Sequence, residues 1–346
     1  MIEFIKLDAH SMQPKYMQII DSIIHNISIG NVKIGDKIPS INTLSKEFYL
    51  SRNTVERAYS ILKKRKVVVS VHGKGTYISQ DQMLLKPNVL FLVNKLSTFK
   101  MKVYNSFVEQ MGSDYQVDLH SYHCDESLFL ELLNKHKFAY NHYVIMPHFR
   151  SKNLLHRSFT NSVCAAIDEL PKENLVLLDN NEHNIKGDFI EVYQDFEKDI
   201  LNALEKGKEK ILKYKKLILV YPKSTFYPYP QKILSGFQKY CIKNNFDFEV
   251  AEEISNETEI EKKTLFITIE ENDLVQIVNK VRGNNYKFGK DIGVISYNDT
   301  PLKQLLGITV ITTDFVEMGK LAAEMIVEKK TEKVKSTFNF IDRDSL

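Results

Sequence analysis

Long apolar runs are absent. Nowhere in the 346 residues do about 18 consecutive apolar positions occur, the length a helix needs to cross a membrane, and residues 1–8 already mix charge with apolar side chains. The chain is therefore expected to have neither a membrane span nor an export signal, to reside in the cytoplasm and to have no membrane partner. Cysteine is scarce as well. Cys124, Cys164 and Cys241 lie far apart and cannot all pair, which fits free thiols in a reducing compartment.

Motifs that carry chemistry are also missing. His120, His123 and Cys124 are close in sequence, but no second pair stands at ligand spacing, so no metal is expected. Neither a Gly-x-Ser-x-Gly elbow nor a His-Glu-x-x-His pair occurs. The string Gly73-Lys74-Gly75-Thr76 lacks the earlier glycine of a phosphate-binding loop and does not open a helix. No catalytic residue and no cofactor is assigned, and the chain reads as a non-enzyme. No internal repeat of about 20 to 50 residues and no low-complexity tract breaks the sequence.

What is present is a globular composition, 43% hydrophobic, with an uneven charge. Residues 1–80 carry 12 Lys and Arg against 6 Asp and Glu, whereas the rest carries 35 against 38. A basic segment on a near-neutral body suits a first part that meets a polyanion, or simply a solvated basic face.

In that first part, Tyr16, Ile19, Ile20, Ile23, Ile24 and Ile27 recur at helical spacing after Pro14, and Gly30-Asn31 supplies a stop. A second short helix is predicted from Ser40, a good N-cap, through Leu44 to Phe48. A third starts at Ser51 and carries Val55, Ala58, Tyr59 and Leu62 on one face. Only Tyr49 and Leu50 separate the two, the short connection of a helix-turn-helix. Residues 67–71 and 76–78 are β-rich stretches around His72-Gly73-Lys74-Gly75, which predicts a hairpin.

These residues resemble the GntR family of bacterial regulators. Pro14-Lys15-Tyr16 with Gln18-Ile19, Gly30, Gly35-Asp36-Lys37-Ile38-Pro39-Ser40, Ser51-Arg52-Asn53-Thr54-Val55 with Ala58-Tyr59 and Leu62, and Gly73-Lys74-Gly75-Thr76-Tyr77 follow the family's order and spacing over roughly residues 10–80. The resemblance implies a winged helix-turn-helix on double-stranded operator DNA. A recognition helix presents its N-terminal residues to the major groove, so Ser51, Arg52, Asn53 and Thr54 are candidate contacts, joined by Ser40 and Arg57. Arg52 can fork onto guanine or grip a phosphate. In the wing, His72, Gly73 and Lys74 are candidates for the minor groove. The chain departs from the family pattern at Asn42 and Glu56, where many or some members carry Arg.

Beyond Pro87 the texture changes. Short apolar runs at 89–93, 143–146, 175–178, 217–220, 265–269 and 292–295 alternate with amphipathic segments such as 196–212 and 274–281, the pattern of parallel sheets covered by helices. The stretch from Phe288 to Thr300, with Leu175-Val176-Leu177-Leu178-Asp179, Ser235-Gly236-Phe237, Ile311-Thr312-Thr313-Asp314, Met318-Gly319 and Phe340-Ile341-Asp342-Arg343-Asp344-Ser345, is similar to the LacI/GalR repressors. That similarity implies a periplasmic-binding-protein-like body whose two α/β lobes close on a ligand.

Ligands of open α/β sheets lie outside the carboxyl ends of the strands. Asn94, Phe99, His148, Asp179, Tyr221, Glu270 and Asn298 are therefore the effector-binding candidates. His148 and Tyr221 better suit the ends of buried strands, where His and Tyr often stand without touching a ligand. Asp179 and Asn298 match positions that hold sugar hydroxyls in sugar-responsive members, while Glu270 stands where Asn is usual and Ile233 where Arg is usual. The aromatic loop Phe226-Tyr227-Pro228-Tyr229-Pro230 suits either stacking on a sugar ring or packing as a surface loop.

The expected fold class is thus α/β: an N-terminal winged helix-turn-helix (residues 1–79), a linker (80–87) and a two-lobed periplasmic-binding-protein-like α/β effector domain (88–346). The expected function is that of a homodimeric, ligand-responsive regulator, a repressor, answering to a sugar or sugar derivative. Two rivals are weaker. A GntR-type fusion to a pyridoxal-phosphate, aminotransferase-like domain needs more chain than is available, and a solute-binding protein needs an export signal and has no use for a basic head.

Overall fold

The computed structural model describes residues 2–8, 11, 13–79, 86–137, 139–223 and 225–346. Of the expected linker, residues 80–85 lie outside the described residues.

The head is built of α1 (Lys15–Ser28), α2 (Ile41–Glu47), α3 (Arg52–Lys64) and the strands β1 (Val68–Val71) and β2 (Gly75–Ile78). Ser40 and Ser51 cap α2 and α3, accepting the Thr43 and Thr54 N–H at 3.1 and 3.2 Å. Each cap satisfies a donor that the first helical turn otherwise leaves open. Ile19, Ile20, Ile23, Leu44, Val55, Ala58, Tyr59, Leu62 and Ile78 are buried together, so the helical stripes seen in the sequence meet in one core. The hairpin pairs Val68 with Ile78 and Val71 with Gly75. Its tip turns at Gly73 and Gly75, with φ of 72° and 117°, backbone that L side chains rarely adopt.

The body has two six-stranded sheets. The N-lobe runs β3 (Asn88–Val93), α4 (Thr98–Met111), β4 (Gln116–Ser121), α5 (Glu126–His136), β5 (His142–Ile145), the short hairpin β6 (Phe149–Arg150) and β7 (His156–Arg157), α6 (Asn161–Asp168), β8 (Leu175–Asn180) and β9 (Ile190–Gln194). The C-lobe runs α7 (Phe196–Lys206), α8 (Lys208–Ile211), β10 (Lys216–Val220), α9 (Gln231–Lys243), β11 (Asp247–Ala251), β12 (Thr264–Thr268), α10 (Glu271–Gly283), β13 (Ile292–Tyr297), α11 (Pro301–Leu305) and β14 (Thr309–Thr313). The chain closes with α12 (Phe315–Glu328), β15 (Lys333–Lys335) and β16 (Phe338–Ile341).

Strand order is β15-β9-β8-β5-β3-β4 in the N-lobe, all parallel, and β11-β10-β12-β13-β14-β16 in the C-lobe, parallel except for β16. The chain passes between lobes three times: from β9 into α7, from β14 into α12, which packs on α4, and from β15 into β16. Parallel strands covered on both faces explain the unbroken apolar runs. In β3, Val89, Phe91 and Val93 enter one core with α4 and α12, while Leu90 and Leu92 enter another under α5 and α6.

Two local expectations change. The single helix expected over residues 196–212 is two, α7 and α8, because the chain bends at Gly207, where an added Cβ would lie 2.8 Å from the Phe340 ring. Asp179, expected beyond its strand, is the penultimate residue of β8 with φ of 79°.

Candidate functional site

On the head, Arg52, Asn53, Arg57, His72, Gly73 and Lys74 are exposed, as are the capping residues Ser40 and Ser51; Thr54 is half-buried. Arg52 Nε donates to Glu56 Oε1 at 2.9 Å in an exposed pair, so the guanidinium is held loosely and can be exchanged for an external partner. Ser51 Oγ and Thr54 Oγ1 are 2.7 Å apart, leaving one hydroxyl proton of the pair free for a phosphate oxygen. Arg57 stacks on the Tyr16 ring, 3.9 Å from its centroid, and so ties α3 to α1. Tyr49, in the turn between α2 and α3, is 96% exposed and adds an aromatic ring to this face that no motif in the sequence marked.

In the body, a cavity of about 470 Å³ opens between the carboxyl ends of the two sheets. Asn94, Phe99, His148, Asp179, Glu270 and Asn298 all line it. Tyr221 does not. It is 3% exposed in the C-lobe core, and its hydroxyl donates to the Tyr229 carbonyl at 2.7 Å, supporting the aromatic loop from below. The cavity also takes Lys95 and Ser97 from the β3–α4 connection, Lys100 from the first turn of α4, Gln194 from β9, Phe196, Tyr229, Tyr297 and Phe315. None of these was singled out as a ligand contact from sequence, although Tyr229 belongs to the loop whose aromatic pattern was noted.

Asp179 is the hub of the floor. Its Oδ2 accepts Lys100 Nζ and, at 2.9 Å, His148 Nε2, while Oδ1 accepts Gln194 Nε2. Gln194 Oε1 in turn accepts Thr313 Oγ1 of β14, which links the floor across two of the lobe crossings. Burial pushes His148 well below its usual value, so the ring is neutral and carries one proton. That proton sits on Nε2 facing Asp179. Nδ1 then accepts from His156 Nε2 at 2.8 Å, which sets the tautomer of both rings. Burial, helped by the nearby charge of Lys95, pulls Lys100 down to about 7. Asp179 thus already holds three protein donors, and a ligand on this floor meets its partners as well as the carboxylate.

The mouth is strapped by the aromatic loop. Arg150 of the N-lobe lies 3.8 Å from the centroid of Phe226, and its Nη1 donates to the His123 carbonyl at 2.6 Å. His123 Nδ1 and the Tyr227 hydroxyl are 3.1 Å apart. Lys95 Nζ lies 5.3 and 5.1 Å from the ring centroids of Tyr227 and Tyr229, and Lys232 of α9 pairs with Glu182 at 2.7 Å. The His120 and His136 rings lie tilted against each other at 41°, 5.2 Å between centroids, and among the described residues no group of three or more His, Cys, Asp or Glu could hold a metal.

Residues 15–78 match the model of bacterial regulatory proteins of the gntR family. Over 101 residues the chain is 30% identical to the uncharacterised HTH-type transcriptional regulator YhcF of Bacillus subtilis, covering 29% of this chain and 78% of that one. The chain belongs to the gntR family. This gntR-family chain also matches, over residues 211–345, the periplasmic binding protein-like domain. It is 31% identical over 138 residues to the mannosyl-D-glycerate transport/metabolism system repressor MngR of Escherichia coli, covering 40% of this chain and 50% of that one. The chain therefore spans about half the length of that curated relative. A LacI family transcriptional regulator from Lactobacillus casei with bound glucose superposes with a TM-score of 0.57 at 12% identity, over 75% of this chain and 100% of that one, a likeness of fold. No described helix is long and apolar enough to cross a membrane.

Proposed function

We propose that this gntR-family chain is a ligand-responsive transcriptional repressor. Residues 1–79 bind operator DNA, and residues 88–346 close on a carbohydrate that releases or re-orients the heads. The observation that carries the reading is the cavity between the lobes. Its wall combines carboxylates (Glu270, Glu271), carboxamides (Asn94, Gln194, Asn298) and aromatic rings (Phe99, Phe196, Tyr229), the mixture that polyhydroxylated rings need. The names of its relatives point the same way: MngR regulates a mannosyl-D-glycerate system and the Lactobacillus casei regulator holds glucose.

The cavity is read as a binding rather than a catalytic site, and the protein as a cytoplasmic homodimer on a pseudo-palindromic operator, since half-site spacing mirrors the symmetry of the protein. Coupling of about 2.7 kcal/mol between cleft and head is enough for roughly 100-fold control. Selection of DNA from a random pool, followed by anisotropy titration at fixed salt, tests the first half. Arg52→Ala is expected to weaken specific binding by about 1–3 kcal/mol. Wild-type affinity in that variant refutes the role of Arg52, and failure to select any DNA refutes the function.

A further inference from the structure

The two walls of the cleft differ in charge. On the N-lobe side stand Lys95, Lys100 and the first turn of α4, a 14-residue helix. Ser97 Oγ accepts the Lys100 N–H at 3.3 Å, and the Thr98 and Phe99 N–H groups have no acceptor among the described residues. On the C-lobe side stand the carboxylates of Glu270 and Glu271.

Lys100 touches its counterion Asp179. Lys95 makes no ion pair among the described residues and rests over the Tyr227 and Tyr229 rings instead. Next to it, Asn94 is only 5% exposed, yet among the described residues its carboxamide oxygen has no partner and its nitrogen reaches only Cys124 Sγ at 3.5 Å. Across the cleft Tyr297 is 8% exposed, and its hydroxyl likewise has no partner among the described residues. Buried polar groups are ordinarily hydrogen-bonded, so a pair left open on a cavity wall marks where a ligand supplies the missing partners.

A neutral sugar drawn into this cleft excludes water from Lys95 and leaves it no counterion in contact, only the charge of Glu270 at longer range, and burying an ammonium in that way is unfavourable. An anion removes that penalty. It also finds two open N–H groups and the positive end of a helix dipole, the arrangement that receives phosphates and carboxylates at helix N-termini.

We infer that the effector is an acidic carbohydrate, a sugar bearing a phosphate or a carboxylate, whose anionic group sits on the N-terminus of α4 beside Lys95 while its hydroxyl groups donate to Glu270 and Glu271. This rests on the carbohydrate reading of the cleft.

The test is calorimetry on the full chain with matched probes: glucose and mannose, their 6-phosphates, the corresponding aldonic acids and inorganic phosphate. An acid is expected to bind at least about tenfold tighter than its neutral parent, with an affinity that falls as salt is added. The 6-phosphate and aldonic-acid arms separate the two acid types. Lys95→Gln is expected to bring the ratio of acid to neutral-parent affinity close to one, and Lys95→Arg to keep the advantage of the acid. Thermal melts of both variants check that the fold survives. A neutral sugar binding as tightly as its acid, or an acid advantage that persists in Lys95→Gln, overturns the inference and leaves the carbohydrate reading standing. Binding of neither kind of sugar overturns both.

Discussion

At the scale of single residues, Asp179 carries the most. From sequence it stands as a carboxylate free to hold two neighbouring hydroxyls; in the structure it is 2% exposed and holds Lys100, His148 and Gln194. Removing one partner of a buried ion pair strands the other charge. At pH 6, below the value near 7 to which burial pulls Lys100, Asp179→Ala is expected to lower stability by about 3–5 kcal/mol, read from urea unfolding. A loss under about 0.5 kcal/mol would show that Lys100 carries no charge there.

The histidines give a pH dependence of defined sign. Burial lowers His136, His142 and His156 to about 4 and His148 well below its usual value, against 6.5 when unfolded. Between about 6.5 and 4 the unfolded chain takes up protons that the folded one refuses, so stability is complete above that window and is lost as pH falls through it. The thermal midpoint should be lower at pH 5 than at pH 7.5, and a higher one at pH 5 contradicts the burial of these rings.

At the scale of elements, α4 and α12 pack closely against each other. A Cβ on Gly319 would fall 2.2 Å from Ser106 Oγ and 2.2 Å from the Val103 carbonyl oxygen, so the two backbones meet without room for a methyl group. Gly319→Ala is expected to force the helices apart and destabilise by about 1–3 kcal/mol, measured by chemical unfolding. The contact has a second consequence. α12 follows directly on a lobe crossing, and α4 opens at the cleft, so movement of the crossing bears on the helix whose first turn lines the site. Altered ligand affinity in a folded Gly319→Ala protein would trace that route.

At the scale of the molecule, contacts over the mouth tie the two lobes together. Arg150 joins the N-lobe to Phe226 through its guanidinium face and an N–H, and the half-exposed pair Lys232–Glu182 adds little. Arg150→Ala should leave the overall fold intact and favour the open form. Small-angle scattering of the ligand-free protein should then give a larger radius of gyration, and ligand should dissociate faster. An unchanged radius and off-rate would show that the strap does not hold the lobes.

Much of this protein is written locally. Ser40 and Ser51 act on N–H groups three residues away, the wing glycines on their own φ angles, and the alternating faces of β3 follow from a two-residue period. For the same reason the strand ends could be found, and parallel order then gathers Asn94, Phe99, His148, Asp179, Glu270 and Asn298 at one opening. Lys100 was not legible. A lysine in the first turn of a helix looks like a solvated charge, and its partner lies 79 residues away. Gln194 and Thr313 are 119 residues apart, and Arg150 and Phe226 are 76 apart. Such pairs meet only after two sheets have formed and the chain has crossed between them, and no spacing in the sequence encodes which lysine will lose its water when they do.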